Sequence, residues 1–437
     1  MSRAGRRGDG LVSIITGTPR IQRFGTDLRG MATLAGAEAT ARLLSFVFYV
    51  LAARALTPAG FGVVRYSIVL ATIGMGLVQV LATAVSRELG AARSDRALTS
   101  ETLGASVVAA VILWFLSVGG CVIASTAGLT RGADLLGLIA VLTGLAAFQL
   151  YYALSRGLGD NRRAAVSYVG GSLLQIVMVA VLIVFGHPRP LPALAIFGAS
   201  SLLPLIGYEL VDPILRRRKL RFGSARFRSL WVLAQPLLVA QVFFLVWNSA
   251  DQVWVQRVLG SHDVGLYGAA KNVSQVFVVV PAGIIGVLLP RVAELRALGD
   301  DDGGRRLAVI ATSLTAGISL VIALPVILLR GRLLELLYGS NYRSAATSLV
   351  GLSVAMVVSA CFATITTAAI GWGRPGLFTL GMGVAAVAEV AYLAAVGVRS
   401  PADAAWAFAV SISVALASIL AWWWIDTRRR AERVPVA

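Results

Sequence analysis

Acidic residues, cysteine and histidine are scarce in this chain, with 21 Asp plus Glu, two Cys and two His among 437 residues. Cys121 and Cys361 both lie inside apolar runs, which leaves neither a disulfide framework nor a thiolate metal cluster. His187 and His262 stand in separate loops, away from Cys or carboxylates at ligand spacing, so a metal site has no signature. A P-loop, a nucleophile elbow and a redox motif are also missing. Charged residues of either sign make up only 14% of the chain, too few to wet the surface of a soluble globule of this length.

What is abundant is apolar surface. Hydrophobic residues are 57% of the sequence and mean hydropathy is +0.81, values of an integral membrane protein. A helix needs about 20 apolar residues to cross a bilayer, rising 1.5 Å at each. Twelve segments meet that length: approximately 31–54, 63–86, 103–127, 134–155, 165–186, 191–213, 230–256, 264–289, 307–329, 345–370, 376–397 and 404–425. Gly, Pro and Asn punctuate the short connections, as in Thr57-Pro58-Ala59-Gly60 and His187-Pro188-Arg189-Pro190. Ala53-Arg54-Ala55 imitates a signal-cleavage site, but the stretch before it carries Glu38 and Arg42 and is too long and polar for a signal-peptide core.

The formal charge of +18 would suggest nucleic acid in a soluble protein. Here its distribution explains it. With the N-terminus inside, 28 Lys and Arg fall on the inner side and nine on the outer side, leaving Arg42 and Lys271 within helices. That bias predicts a multi-pass protein of the cytoplasmic membrane with both termini in the cytoplasm. Trp422 to Trp424, at the inner end of the last segment, read as an interfacial belt.

The chain also repeats itself. RALTPAGFGVV (54–64) aligns with RVLGSHDVGLY (257–267) at an offset of 203, matching Arg54 to Arg257, Leu56 to Leu259 and Gly62 to Gly265. Arg87 and Arg291 close the following helices, and RGLGDNRR (156–163) and GWGRPG (371–376) close the fourth helix of each half. Six helices is an even number, so the halves run in the same orientation about an axis along the membrane normal, enclosing a cavity that rocking would open to alternate sides. The expected organisation is a basic cytoplasmic tail (1–30), a six-helix lobe (31–215), a basic linker (216–229), a second six-helix lobe (230–425) and a basic tail (426–437).

The stretches LAARALTPAGFGVVRYS, NSADQVWVQRVLGSHDVGLYGAAKNV and LLELLYGSNYRSAA extend a likeness over essentially the whole chain. It resembles the polysaccharide flippases, the O-antigen and capsule branch of the multidrug/oligosaccharidyl-lipid/polysaccharide exporter superfamily. The resemblance implies an all-α fold like that of the multidrug exporters of this superfamily, and movement of an undecaprenyl-diphosphate-linked oligosaccharide from the inner to the outer leaflet for cell-surface polysaccharide synthesis. It implies no enzyme chemistry and no cofactor, with H+ or Na+ as coupling ions and other polysaccharide assembly proteins as partners. Related lipid II flippases carry two additional helices, which are not found in this sequence.

A diphosphate and its glycan need a wet, cationic path. Arg42 lies about 18 Å along the first helix and Lys271 about 12 Å in from the outer surface. A charge at such depth costs at least about 2.5 kcal/mol and usually faces a cavity or a partner, so Arg42 and Lys271 are the expected diphosphate contacts. For Arg42 a second reading stands beside this one, a local ion pair with Glu38 at i, i+4. Glu38 is alternatively a proton-binding group. On the seventh helix Gln241, Asn248 and Gln252 share a face with Asp251 beside them, and Pro236 loosens its start; Lys271 and Gln275 continue the polar path on the eighth. Asn248, Asp251, Gln252 and Gln275 are therefore expected substrate contacts. Asp251 has three further readings, an ion-coupling group, a cap of the turn or a partner of Arg257. Arg87 and Arg291 either capture phosphate on the inner face or snorkel as anchors.

GDDDGG (299–304) has the acidic look of a sugar-transferase metal motif but no nucleotide-binding domain around it, and reads as a solvated turn. A drug exporter of the same superfamily would want acidic rather than cationic groups in its cavity. A membrane enzyme of polysaccharide assembly would want a large outer loop or an intramembrane His and carboxylate, and a non-transporting scaffold within an assembly complex stands as a third reading.

Overall fold

The computed structural model describes residues 19–92, 95–126, 128, 130, 133–186, 188–213 and 220–431. The first half contains α1 (Pro19–Ala55), α2 (Pro58–Ala92), α3 (Arg96–Thr126), α4 (Leu135–Leu158), α5 (Asn161–Phe185) and α6 (Pro190–Val211). The second contains α7 (Ser224–Val258), α8 (Ser261–Ser274), a 3-10 turn (Gln275–Val278), α9 (Val279–Ala297), α10 (Asp301–Leu328), the short α11 (Arg330–Tyr338), a second 3-10 turn (Ser340–Ala345), α12 (Ala346–Gly371), α13 (Gly376–Val396) and α14 (Pro401–Ala431). His187 and most of the basic run after Val211 lie outside the described residues.

Helices begin where side chains can satisfy their first N–H groups. Asp134, Asp160 and Asp300 cap α4, α5 and α10 by accepting from Gly137, Arg163 and Gly303. The acidic run at 299–304 is thus the start of a helix, with Asp301 and Asp302 placed against the positive end of its dipole. Helix α1 begins at Pro19, earlier than residue 31 where the apolar run starts.

The expected count of twelve spans is matched in part. Ten of the described helices are long and apolar enough to cross a membrane, and an eleventh is added if α7 is counted across its 49° bend. That bend falls at Pro236, which cannot donate to the preceding turn. The eighth expected span is broken into pieces of 14, 4 and 19 residues. Its middle is the polar sequence Lys271-Asn272-Val273-Ser274-Gln275, and Pro281 follows without an N–H to continue the ladder.

The two halves repeat one packing scheme. α1 packs on α5 as α7 does on α13, α2 packs on α4 as α8 and α9 do on α12, and α4 packs on α6 as α12 does on α14. Below, "inner" denotes the end that the charge count assigns to the cytoplasm. The largest apolar core runs through both halves and includes Phe48, Phe61, Tyr66, Tyr267, Tyr338 and Tyr342 toward the outer end. The inner ends hold smaller cores, one around Tyr151, Tyr152 and Leu205, another around Leu288, Val292 and Ala368, and a third that packs Val85, Leu89 and Leu103 of the first half on Leu230 and Ala234 of α7. The halves are therefore sealed together outside, and at the inner end they meet through the start of α7, where Arg226 lies 3.5 Å from Glu88.

Candidate functional site: a cavity between two halves

The outer seal is built on the sequence repeat. A Cβ placed on Gly62 would fall 1.7 Å from the Ser261 carbonyl oxygen, and one on Gly265 would fall 2.0 Å from that of Pro58. Positions 58 and 62 of one half thus meet 265 and 261 of the other, the same contact made twice about the axis that relates the halves. Arg54 strengthens the seal by donating from Nε to the Leu337 carbonyl at 2.7 Å and from Nη2 to that of Leu336. The Tyr342 hydroxyl donates to the Ala53 carbonyl at 3.1 Å, and Arg65 Nε donates to Gln252 Oε1 at 3.1 Å. Gln252, expected in the substrate path, is buried in this seal. Below it, Asn272 donates to the Tyr338 hydroxyl at 3.0 Å; burial pushes that phenol above its ordinary pKa and keeps it neutral.

Beneath the seal a cavity of about 310 Å³ lies between α1 and the second half. Arg42 lines it from α1, opposite Asn248 on α7, Gln275 in the 3-10 turn, Ser359 on α12, and the rings of Trp247 and Phe362. The break after α8 puts Gln275 on this wall. Arg42 is exposed, and among the described residues no ion pair within 4.0 Å joins it to Glu38. Glu38 instead accepts from the Tyr152 hydroxyl at 2.5 Å. The Ser359 hydroxyl has no hydrogen-bond partner. The cavity thus presents a guanidinium and neutral hydrogen-bonding groups between aromatic walls, a lining suited to an anion carrying hydroxyl-rich groups.

Lys271 is not presented to this cavity. It is 1% exposed, with Nζ 2.5 Å from Asp251 Oδ2 and 2.9 Å from the Asn248 carbonyl oxygen, and it lies 4.5 Å from the centre of the Phe408 ring. Asp251 also accepts from the Tyr267 hydroxyl at 2.6 Å and from the Gln252 N–H at 2.7 Å. Asp251 therefore takes Lys271 as its partner across the α7–α8 turn, whereas the sequence offered Arg257. Arg42 and Lys271 are not brought together as a pair around one anion in this conformation.

Glu389, on α13, was missed. It is fully buried, neither carboxylate oxygen has a hydrogen-bond partner, and its electrostatic neighbours are Asp251 and Lys271. The signal was available, since GVAAVAEVAYLAAV carries a single acid in an otherwise apolar membrane helix. Arg87 and Arg291 are exposed at the inner ends of α2 and α9, and Arg291 is paired with Glu294 at 2.6 Å. Neither lines the cavity.

Residues 28–296 match the polysaccharide biosynthesis protein family. A polysaccharide export inner membrane protein, EpsE of Ralstonia nicotianae, is 26% identical over 383 residues, 82% of this chain and 84% of its own length. Among solved structures, an inward-facing multidrug resistance transporter of the MATE family superposes with a TM-score of 0.73 at 17% identity, covering 91% of this chain and 96% of its own. The lipid II flippase MurJ in an inward closed conformation superposes at 0.69 and 13% identity, covering 89% and 86%. At these identities the two structures share the fold with this chain.

Proposed function

Because the chain belongs to the polysaccharide biosynthesis protein family, we propose that it is a flippase for a polyprenyl-diphosphate-linked oligosaccharide, moved from the inner to the outer leaflet by alternating access. The observation that carries this reading is Arg42, an exposed guanidinium deep within the bilayer span that faces Asn248, Gln275 and Ser359 across the cavity. A charge held at that depth without a carboxylate partner is stable only in a hydrated or ligand-filled space. A guanidinium can grip a diphosphate oxygen pair in bidentate fashion. The neutral groups opposite suit sugar hydroxyls, and the prenyl tail stays in lipid. The volume of about 310 Å³ has room for the diphosphate and its first sugar, with the rest of the glycan extending toward the inner opening.

In this mechanism the state with the outer end sealed is the loading state. Rocking of the halves breaks the contact of Gly62 with Ser261 and of Gly265 with Pro58, opens the outer end and closes the inner one. Asp251, Lys271 and Glu389 form the ion-coupling region, Asp251 as the sequence suggested and Glu389 added by its unpartnered carboxylate. The site serves the cytoplasmic membrane, with both termini in the cytoplasm. Proteoliposomes test the substrate class. The chain should move a fluorescent polyprenyl-diphosphate oligosaccharide between leaflets and leave small lipophilic cations where they are; movement of the cations alone would assign it to drug export.

A further inference from the structure

One turn inward of the glycine contact, the two halves stop matching. The repeat that equates Gly62 with Gly265 also equates Arg65 with Gly268, and these positions meet as well: a Cβ on Gly268 would fall 2.7 Å from Arg65 Cγ. The axis therefore carries one guanidinium, its stem laid where the second half has no side chain. Arg65 Nε donates to Gln252 Oε1 on α7 at 3.1 Å, and the guanidinium carbon lies 5.0 Å from the centre of the Tyr49 ring on α1, a cation–π distance. The phenols of Tyr267 and Tyr338 are further electrostatic neighbours. Among the described residues no carboxylate pairs with Arg65 within 4.0 Å. Asp251, which reaches Tyr267, is held by Lys271 at 2.5 Å. A positive charge is thus kept across the seam by neutral groups.

The level of this charge in the molecule gives it a use. Gln252 lies one turn outward of Asn248, which lines the cavity, and Tyr49 lies about 10 Å outward of Arg42 along α1. A substrate leaving the cavity along the axis passes Arg65 before it reaches the parted glycines. A charge at this depth, between halves that must separate, is costly unless water or an anion meets it there. An amide carbonyl is a weaker acceptor for a guanidinium than a phosphate oxygen, and the fork matches phosphate in bidentate fashion. Gln252 is therefore an occupant that a diphosphate can displace once the halves part.

We propose that Arg65 is an outer station for the substrate diphosphate, covered by Gln252 and Tyr49 while the outer end is sealed, and uncovered to take the diphosphate from Arg42 when it opens. The inference rests on the flippase reading for its substrate, and two measurements separate the two. The first reads occupancy without transport. In the full chain carrying Gly265→Ala and Gln252→Cys, geranyl diphosphate should slow thiol labelling from outside. Gln252 is already replaced there, so the hydrogen bond that holds Arg65 in the seal is absent and only the grip on the anion is compared. Adding Arg65→Gln should raise the geranyl diphosphate concentration needed for protection by about tenfold or more, the loss of one charge-assisted contact; adding Arg42→Gln should not. Equal protection with and without Arg65, or no protection, overturns the station. The second measurement uses proteoliposomes and the fluorescent polyprenyl-diphosphate oligosaccharide. Arg65→Gln should lower the maximal rate by a similar factor and leave the half-saturating concentration near that of wild type, because Arg65 is covered during loading. Arg65→Lys should recover part of the rate. A maximal rate in Arg65→Gln equal to that of wild type overturns the proposal, and does so even where the glycine variant fails to fold. Wild type that moves no such lipid counts against the flippase reading alone, and the protection result then decides the station.

Discussion

Gly62 and Gly265 face each other across the outer end of the molecule, each lying against a carbonyl of the other's helix, Ser261 and Pro58 respectively. Any side chain at either position enters the space of a backbone oxygen, which cannot retreat as a flexible side chain could. Gly62→Ala and Gly265→Ala are therefore expected to hold the outer end open. The check is thiol labelling at Gln252→Cys, a position 2% exposed behind the seal. Labelling from outside should rise in either glycine variant and transport should fall, whereas unchanged labelling would mean that this contact does not close the outer end.

The Asp251–Lys271 pair is fully buried, so removing one member leaves a charge that the interior cannot solvate. Asp251→Ala or Lys271→Ala should each destabilise the folded chain by roughly 3–5 kcal/mol, while Asp251→Leu combined with Lys271→Met should recover much of that loss. Denaturant or thermal unfolding of the four proteins in detergent measures the coupling. Additive losses would show that the two charges act independently.

Glu389 makes no hydrogen bond through either carboxylate oxygen, an arrangement that lowers stability unless function maintains it. Glu389→Met, of similar length and without the polar atoms, should keep or raise the thermal midpoint and should lose the response of transport to an imposed H+ or Na+ gradient. A variant that transports and responds like wild type would remove Glu389 from the coupling region.

The sequence made the repeat legible in unusual detail, because a contact on a pseudo-twofold axis must use the same small residue twice. The alignment matched Gly62 to Gly265 as equivalent positions, and the structure adds that they meet in space. The cavity residues Arg42, Asn248 and Gln275 were legible for a different reason, since polar groups inside apolar helices are costly and have few places to go. Their partners were harder to see. Lys271 could be read as a substrate contact because Asp251 lies across a turn, and no spacing rule favours that pair over Asp251 with Arg257. Glu389 is far away in sequence from both. The break within the eighth span depends on how several polar residues and a proline are accommodated together, and hydropathy alone reads it as one helix.

The central claim is that Arg42 holds the diphosphate, and transbilayer movement of a fluorescent polyprenyl-diphosphate oligosaccharide by reconstituted Arg42 variants tests it most directly. With equal folded yield, Arg42→Ala should slow movement by about 10- to 100-fold, the loss of one charge-assisted contact, and Arg42→Lys should restore part of it by keeping the charge without the bidentate fork. Movement by Arg42→Ala at the wild-type rate would contradict the account.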